Sequence, residues 1–254
     1  MAAIVPPVIS VFDTPAQVKR LTVATDAGTN EEVDCFYYRD FMVKQVDAHE
    51  KGAAQLSFLP IRVGDRLPEC QRSNLNNEQV IPATEWSGYF TGAKGSYAFF
   101  DADDGVNGSM GFAIYDAKNA TKRFQDFTKG NLQSLTVSGD TLTMRYMRAY
   151  PAPCSVVTGG EACWAQIVEE TKLPETATAP DCAASYTSAN NYLARARCRS
   201  EKGPACYKRE LAAIATQTSS DTPSMIGYPA SVTLSGSRSD ITPEPGKPSC
   251  WPAS

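Results

Sequence analysis

The sequence predicts an α+β protein with an antiparallel, β-rich body, sandwich-like or barrel-like, and two or three helices towards the C-terminus, the whole stapled by disulfides. Three observations carry this reading. From about residue 18 to 150, runs rich in Val, Phe and Tyr recur between short turns with no helical pattern between them, as antiparallel strands do. Between about 158 and 217 the apolar spacing switches to the helical period. The eight cysteines, Cys35, Cys70, Cys154, Cys163, Cys182, Cys198, Cys206 and Cys250, scatter without a C-x-x-C pair, and one histidine is all that is available to complete a zinc site. They therefore read as disulfides rather than metal ligands.

The strand signals run in order through Val18 to Thr25, Val33 to Val46 and Ala54 to Val63, before Gly64-Asp65 turns the chain. Pro68 to Pro82 is polar and reads as a loop. Trp86 to Phe90, Tyr97 to Phe100 and Gly111 to Tyr115 are aromatic strands separated by Gly-containing turns, and Leu132 to Val137 and Thr141 to Tyr150 flank the hairpin turn Ser138-Gly139-Asp140. Thr158-Gly159-Gly160-Glu161 fits a capping box ahead of Cys163, Trp164, Ile167, Val168 and Thr171, and Pro174 ends that helix. Asp181 caps a second helix with Tyr186, Ala189, Leu193 and Ala196 on one stripe, and Gly203-Pro204 breaks it. Tyr207, Leu211 and Ile214 mark a third. Pro229 to Ser235 reads as a last strand, and the Pro-rich tail is extended and held by Cys250 and Trp251. One domain spanning 1–254 is expected, with a β-rich part at 18–150, a helical part at 158–217 and a strand and tail at 224–254.

At 254 residues the chain can bury a sizeable core without depending on its cysteines. Two of the cysteines lie early and six late. That distribution suggests pairing Cys35 with Cys70, and Cys154 with Cys163 across a short loop, the remainder staying open. Disulfides persist in oxidising compartments, so a periplasmic or secreted location is expected. Met1–Pro7 carries neither a basic region nor a long apolar stretch, so it does not read as a signal peptide; it reads instead as the start of a mature chain in Pro-rich extended backbone. No stretch approaches the ~20 apolar residues of a membrane span. With 24 Lys and Arg against 28 Asp and Glu, the net charge of −4 argues against a nucleic-acid binder.

Asp101-Ala102-Asp103-Asp104-Gly105-Val106-Asn107-Gly108 resembles a calcium loop, because a hard cation needs several oxygen ligands on a turn. The fit to an EF-hand is incomplete: Gly105 stands at its fifth position and Phe112 at its twelfth. Asp101, Asp103 and Asn107 are the candidate ligands of a structural calcium, no other cofactor being expected. The alternative is a solvated turn in which Asp and Asn bond their own backbone. A second signal is the cluster Arg195, Arg197, Arg199, Lys202, Lys208 and Arg209 against Glu201 alone. Helical i, i+4 spacing puts Arg195 and Arg199 on one face, and with Lys208 they are candidates for an anionic ligand or protein partner. The alternative is a solubilising face.

Nucleophilic catalysis fails on inventory, because it would need His49, which lies in a polar turn, and no G-x-S-x-G elbow or phosphate-binding glycine loop occurs. A carboxylate pair with an aromatic platform drawn from Trp86, Tyr89, Phe90, Tyr97, Phe99 and Phe100 survives as a glycosidase-like alternative, although such aromatics also read as core. Asn107-Gly108-Ser109 and Asn119-Ala120-Thr121 are sequons. The expectation is an extracytoplasmic binding or structural protein; the alternative is a secreted hydrolase using paired carboxylates.

Overall fold

A computed structural model describes residues 10–25, 28–62, 64–199, 203–217 and 220–253. The fold is α+β, with two antiparallel sheets and three helices in the C-terminal half. The first sheet is a meander of β1 (Gln17–Ala24), β2 (Asn30–Tyr37), β3 (Phe41–Asp47), β4 (Gln55–Pro60) and β5 (Gln79–Ile81), in that spatial order. The second contains β6 (Gly88–Lys94), β7 (Tyr97–Val106), β8 (Ser109–Asp116), β9 (Thr121–Thr128), β10 (Ser134–Ser138) and β11 (Thr141–Pro151). After α1 (Val156–Thr171), α2 (Cys182–Arg197) and α3 (Pro204–Gln217), the chain returns to it as β12 (Ser224–Ser235), β13 (Arg238–Pro243) and β14 (Ser249–Pro252). Its order is β13-β12-β11-β9-β8-β7-β6, with β10 on β11 and β14 on β12.

Side-chain alternation assigns the two faces of β7 and β8 to different cores. Phe100, Ala98, Ala113 and Tyr115 face the first sheet and pack with Phe41, Val43, Leu56 and Phe58. Tyr97, Phe99, Phe112 and Ile114 face the other way, into a core shared with Met144, Tyr146, Val232, and Trp164 and Ile167 of α1. A third, smaller core (Val33, Tyr37, Met42, Val46) lies on the far side of the first sheet under the 61–78 loop, tied down by Cys35–Cys70.

The second sheet curls. Tyr97 donates its hydroxyl hydrogen bond to the carbonyl of Asp140 at 2.6 Å, and a Cβ at Gly95 would sit 3.2 Å from Val137 on β10. The β6 edge is thereby brought towards β10. The N-terminal strap fills the remaining gap: Asp13 bridges Ala93, its carboxylate accepts from the Gly95 N–H and Lys94, and Phe12 lies edge-on to Phe99 with ring centroids 5.2 Å apart. The result is a barrel-like cup.

All eight cysteines are paired, as Cys35–Cys70, Cys154–Cys163, Cys182–Cys250 and Cys198–Cys206. The first two are the pairs that the cysteine distribution suggests. Cys182–Cys250 fastens α2 to β14, and Cys198–Cys206 clamps α2 to α3.

Several boundaries differ from the sequence reading. The segment Val33 to Val46 is two strands folded at Tyr38–Asp40, and β5 lies at the end of the polar 68–82 stretch. Strand β9 was not foreseen. It presents only Phe124 and Phe127 as large apolar residues, and its inward Asp126 disguises a buried face. The capping box is not what starts α1: Ser155 is the N-cap, its hydroxyl accepting from the Val157 N–H, and Gly160 interrupts the helix at φ 49°. Asp181 does cap α2, accepting from the Ala184 N–H at 3.0 Å. Ser224, fully buried, joins helices to sheet: its hydroxyl accepts from the Val156 N–H at 2.9 Å and meets the Tyr186 hydroxyl at 2.9 Å.

Candidate functional site

The cup holds a cavity of about 420 Å³ at its mouth, walled by Val11, Phe12, Phe99, Met110, Phe112 and Leu132, with Ser10, Thr91, Asp101, Thr128 and Asn131 at its polar edge. Three local features build it. Strand register puts Phe99 and Asp101 on the inward face of β7, with Phe112 opposite Asp101 and Thr128 opposite Met110. A bulge in β6 between Phe90 and Gly92 leaves Thr91 unpaired, and bulges re-aim side chains; here the Thr91 side chain hydrogen-bonds the Asp101 carboxyl. Gly92 leaves the space that the Phe12 ring occupies, since a Cβ there would lie 2.5 Å from its Cγ.

Among the described residues Asp101 is the one acid on the cavity wall. Burial pushes its carboxyl above the ordinary carboxylate range, opposed only by the Thr91 hydrogen bond. Among the described residues no cation pairs with it.

Asp126 lies two strands away on the same face, since Phe112 is opposite both Asp101 and Asp126. Its carboxylate is engaged, accepting from the Tyr146 hydroxyl at 2.6 Å and from Arg148 Nε at 2.8 Å, while Arg148 Nη1 donates to the Tyr228 hydroxyl at 2.7 Å. Burial and then the Asp126 charge drive the Tyr146 phenol far above its ordinary range. Phe112 separates this network from the cavity. The two facing acids that a hydrolase needs are therefore not both presented to the space.

The calcium candidates lie along β7 and the turn that follows it. Asp101 turns into the cavity. Asp103 lies in a second bulge, between Asp101 and Gly105, beside the Glu50–Gly52 loop, where its neighbour Asp104 pairs with Lys51 at 2.5 Å. Asn107 and Gly108, at φ 53° and 67°, form the β7–β8 turn, and the Asn107 carbonyl accepts from Trp251 Nε1. Among the described residues no three His, Cys, Asp or Glu side chains gather as a metal-binding group.

The cationic candidates sit on the α2–α3 hairpin. Arg195 and Lys208 are exposed, and Arg195 borders an open depression with Cys198, Pro204 and Tyr207. The expected i, i+4 relation of Arg195 and Arg199 does not form, because Cys198 caps α2 and Arg199 lies beyond it. Arg197 approaches Glu210 at 3.8 Å and Arg209 approaches it at 3.3 Å. Lys202 and Glu201 lie outside the described residues. His49 is exposed in its turn at φ 61°. Of the aromatic platform, Trp86, Tyr97, Phe99 and Phe100 are buried core.

A more open groove of about 570 Å³ follows α1 past Glu161, Glu169 and Glu175. The sequence reading placed Asp101 in a calcium loop and missed the cavity altogether. Only Gly92, directly after Thr91 on an aromatic strand, hints that β6 bulges there.

The chain matches no protein-family model, no curated protein and no solved structure. Among the described residues no helix is long and apolar enough to cross a membrane.

Proposed function

We propose that this is an extracytoplasmic binding protein that holds a small organic molecule in the cup between the N-terminal strap and β6–β9. The observation that carries the reading is an apolar, aromatic-walled cavity of about 420 Å³ in which Asp101 has no cation partner among the described residues. That size and lining fall within the range of small-molecule sites, in which a few polar groups orient a mostly apolar ligand. The single acid favours binding over carboxylate-pair hydrolysis. Four disulfides support the location, since such bonds persist where the environment is oxidising.

The test is a fluorescence titration with an uncharged apolar dye on the parent and on Leu132→Trp, whose indole would fill the mouth. Saturable one-site binding in the parent, lost in the variant, is expected. A parent with no saturable binding defeats the reading.

Two further proposals rest on residue type alone. An anionic partner at Arg195, Arg199 and Lys208 is tested by the salt dependence of binding to an anionic matrix. A structural calcium at Asp101, Asp103 and Asn107 is tested by thermal unfolding in chelator and in excess calcium.

A further inference from the structure

The cavity presents a mismatch between its walls and its one ionisable group. Phe12, with the nearly buried rings of Phe99 and Phe112, gives the cavity an aromatic wall, Thr91 supplies Asp101 with one hydrogen bond, and among the described residues no cation compensates the carboxylate. A partly buried carboxylate in such surroundings is costly unless a charge or donor meets it. Elsewhere in this protein the buried carboxylates are met: Asp126 by Arg148 and Tyr146, and Glu78 by Lys44 and Ser57. Asp101 faces an open space, and among the described residues no cation meets it.

We propose that the cup recognises a small organic amine, its ammonium on the Asp101 carboxylate and its apolar body among the phenylalanines. The assignment rests on the small-molecule reading above and narrows it to one ligand class. An ammonium supplies up to three hydrogen-bond donors and a full positive charge, whereas an alcohol supplies one donor and no charge. Aromatic rings add to the preference, because their quadrupole attracts a full cation more strongly than a neutral donor. A carboxylate ligand of the same shape is repelled. The bulge at Thr91 fixes the geometry by orienting the carboxyl from the side away from Phe112, which leaves its remaining lone pairs for the ligand.

The experiment is isothermal titration of the intact, oxidised protein with phenethylamine, phenethyl alcohol and phenylacetate at neutral pH. The series shares one apolar body and varies only the head group, so it needs no variant. The amine is expected to bind roughly tenfold more tightly than the alcohol, as a charge-assisted hydrogen bond does over a neutral one, with phenylacetate weakest. In the near-isosteric Asp101→Asn, the amine should fall to the alcohol's affinity while the alcohol is unchanged.

Equal binding of all three probes, or an amine preference that survives in Asp101→Asn, would overturn the amine assignment and leave the cavity as a small-molecule site. Binding by none of the three, together with no uptake of the uncharged dye, would overturn both readings.

Discussion

Lys44 and Glu78 form an ion pair 2.6 Å long in which only 1% of either side chain reaches solvent. Around it, Glu78 accepts from Ser57 Oγ at 2.6 Å and from the Leu75 N–H at 2.8 Å, and Lys44 donates to the Ser73 carbonyl at 3.1 Å. The pair fastens the 73–78 segment to the face of β3 and β4. Breaking a buried pair from one side leaves an uncompensated charge, so Lys44→Met should cost about 3–5 kcal/mol in urea unfolding. The double variant Lys44→Met with Glu78→Leu should recover most of that, because two apolar side chains remove both charges.

The same pair sets an acid limit. Burial pushes the Glu78 carboxyl up, but hydrogen bonds from Lys44, Ser57 and the Leu75 N–H, with the Lys44 charge, outweigh it and hold the group below its ordinary range. A carboxyl held low in the folded state contributes stability above its unfolded pKa of about 4.3 and loses that contribution as pH falls through the lower folded value. The urea midpoint of the parent is expected to fall in acid below roughly pH 4, and Glu78→Gln to be less stable at pH 7 with a shallower acid slope. A parent and variant with parallel pH profiles would contradict this.

Closing a 35-residue separation, Cys35–Cys70 should contribute more than Cys154–Cys163, which closes 9. Chain entropy gives roughly 4 and 2.5 kcal/mol respectively. Paired Cys→Ser variants in denaturant titrations measure the order, and intact mass after alkylation, with and without reduction, should show no free thiol before reduction.

Gly88 has no room for a side chain: a Cβ would fall 1.9 Å from the Asp101 carbonyl oxygen, which is strand backbone and cannot swing aside. Gly88→Ala should cost about 1–3 kcal/mol and weaken ligand binding by shifting β7 under Asp101. Gly92→Ala, whose nearest contacts are all in the Phe12 side chain rather than in strand backbone, should cost less. Equal losses for the two would show that the strap is as fixed as the sheet.

Both sheets share one core, where Phe58 and Phe100 meet edge to face at 5.8 Å. Calorimetry of the oxidised protein is therefore expected to give a single cooperative transition. Two resolved transitions would mean that the sheets unfold separately.

The class of this protein is legible from local sequence signals. Aromatic and β-branched runs between turns specify antiparallel strands, helical spacing after Pro151 specifies the helices, and Asp181, Pro174 and Gly203-Pro204 mark their ends through local chemistry that needs no distant partner. The pairing of Cys35 with Cys70 was legible because no other early cysteine competes.

The remaining features depend on contacts between segments distant in sequence. Strand β9 becomes a strand because Arg148, twenty-two residues on, neutralises its inward Asp126. Asp101 lines the cavity because β7 carries it inward beside Phe99 and a bulge in the neighbouring strand brings Thr91 to it. The cavity exists because the N-terminal strap, β6 and the 128–132 segment, far apart in sequence, converge around one space. A period of two or 3.6 residues reports which way a side chain points, but a pocket is a relation between surfaces that meet only when the chain has folded.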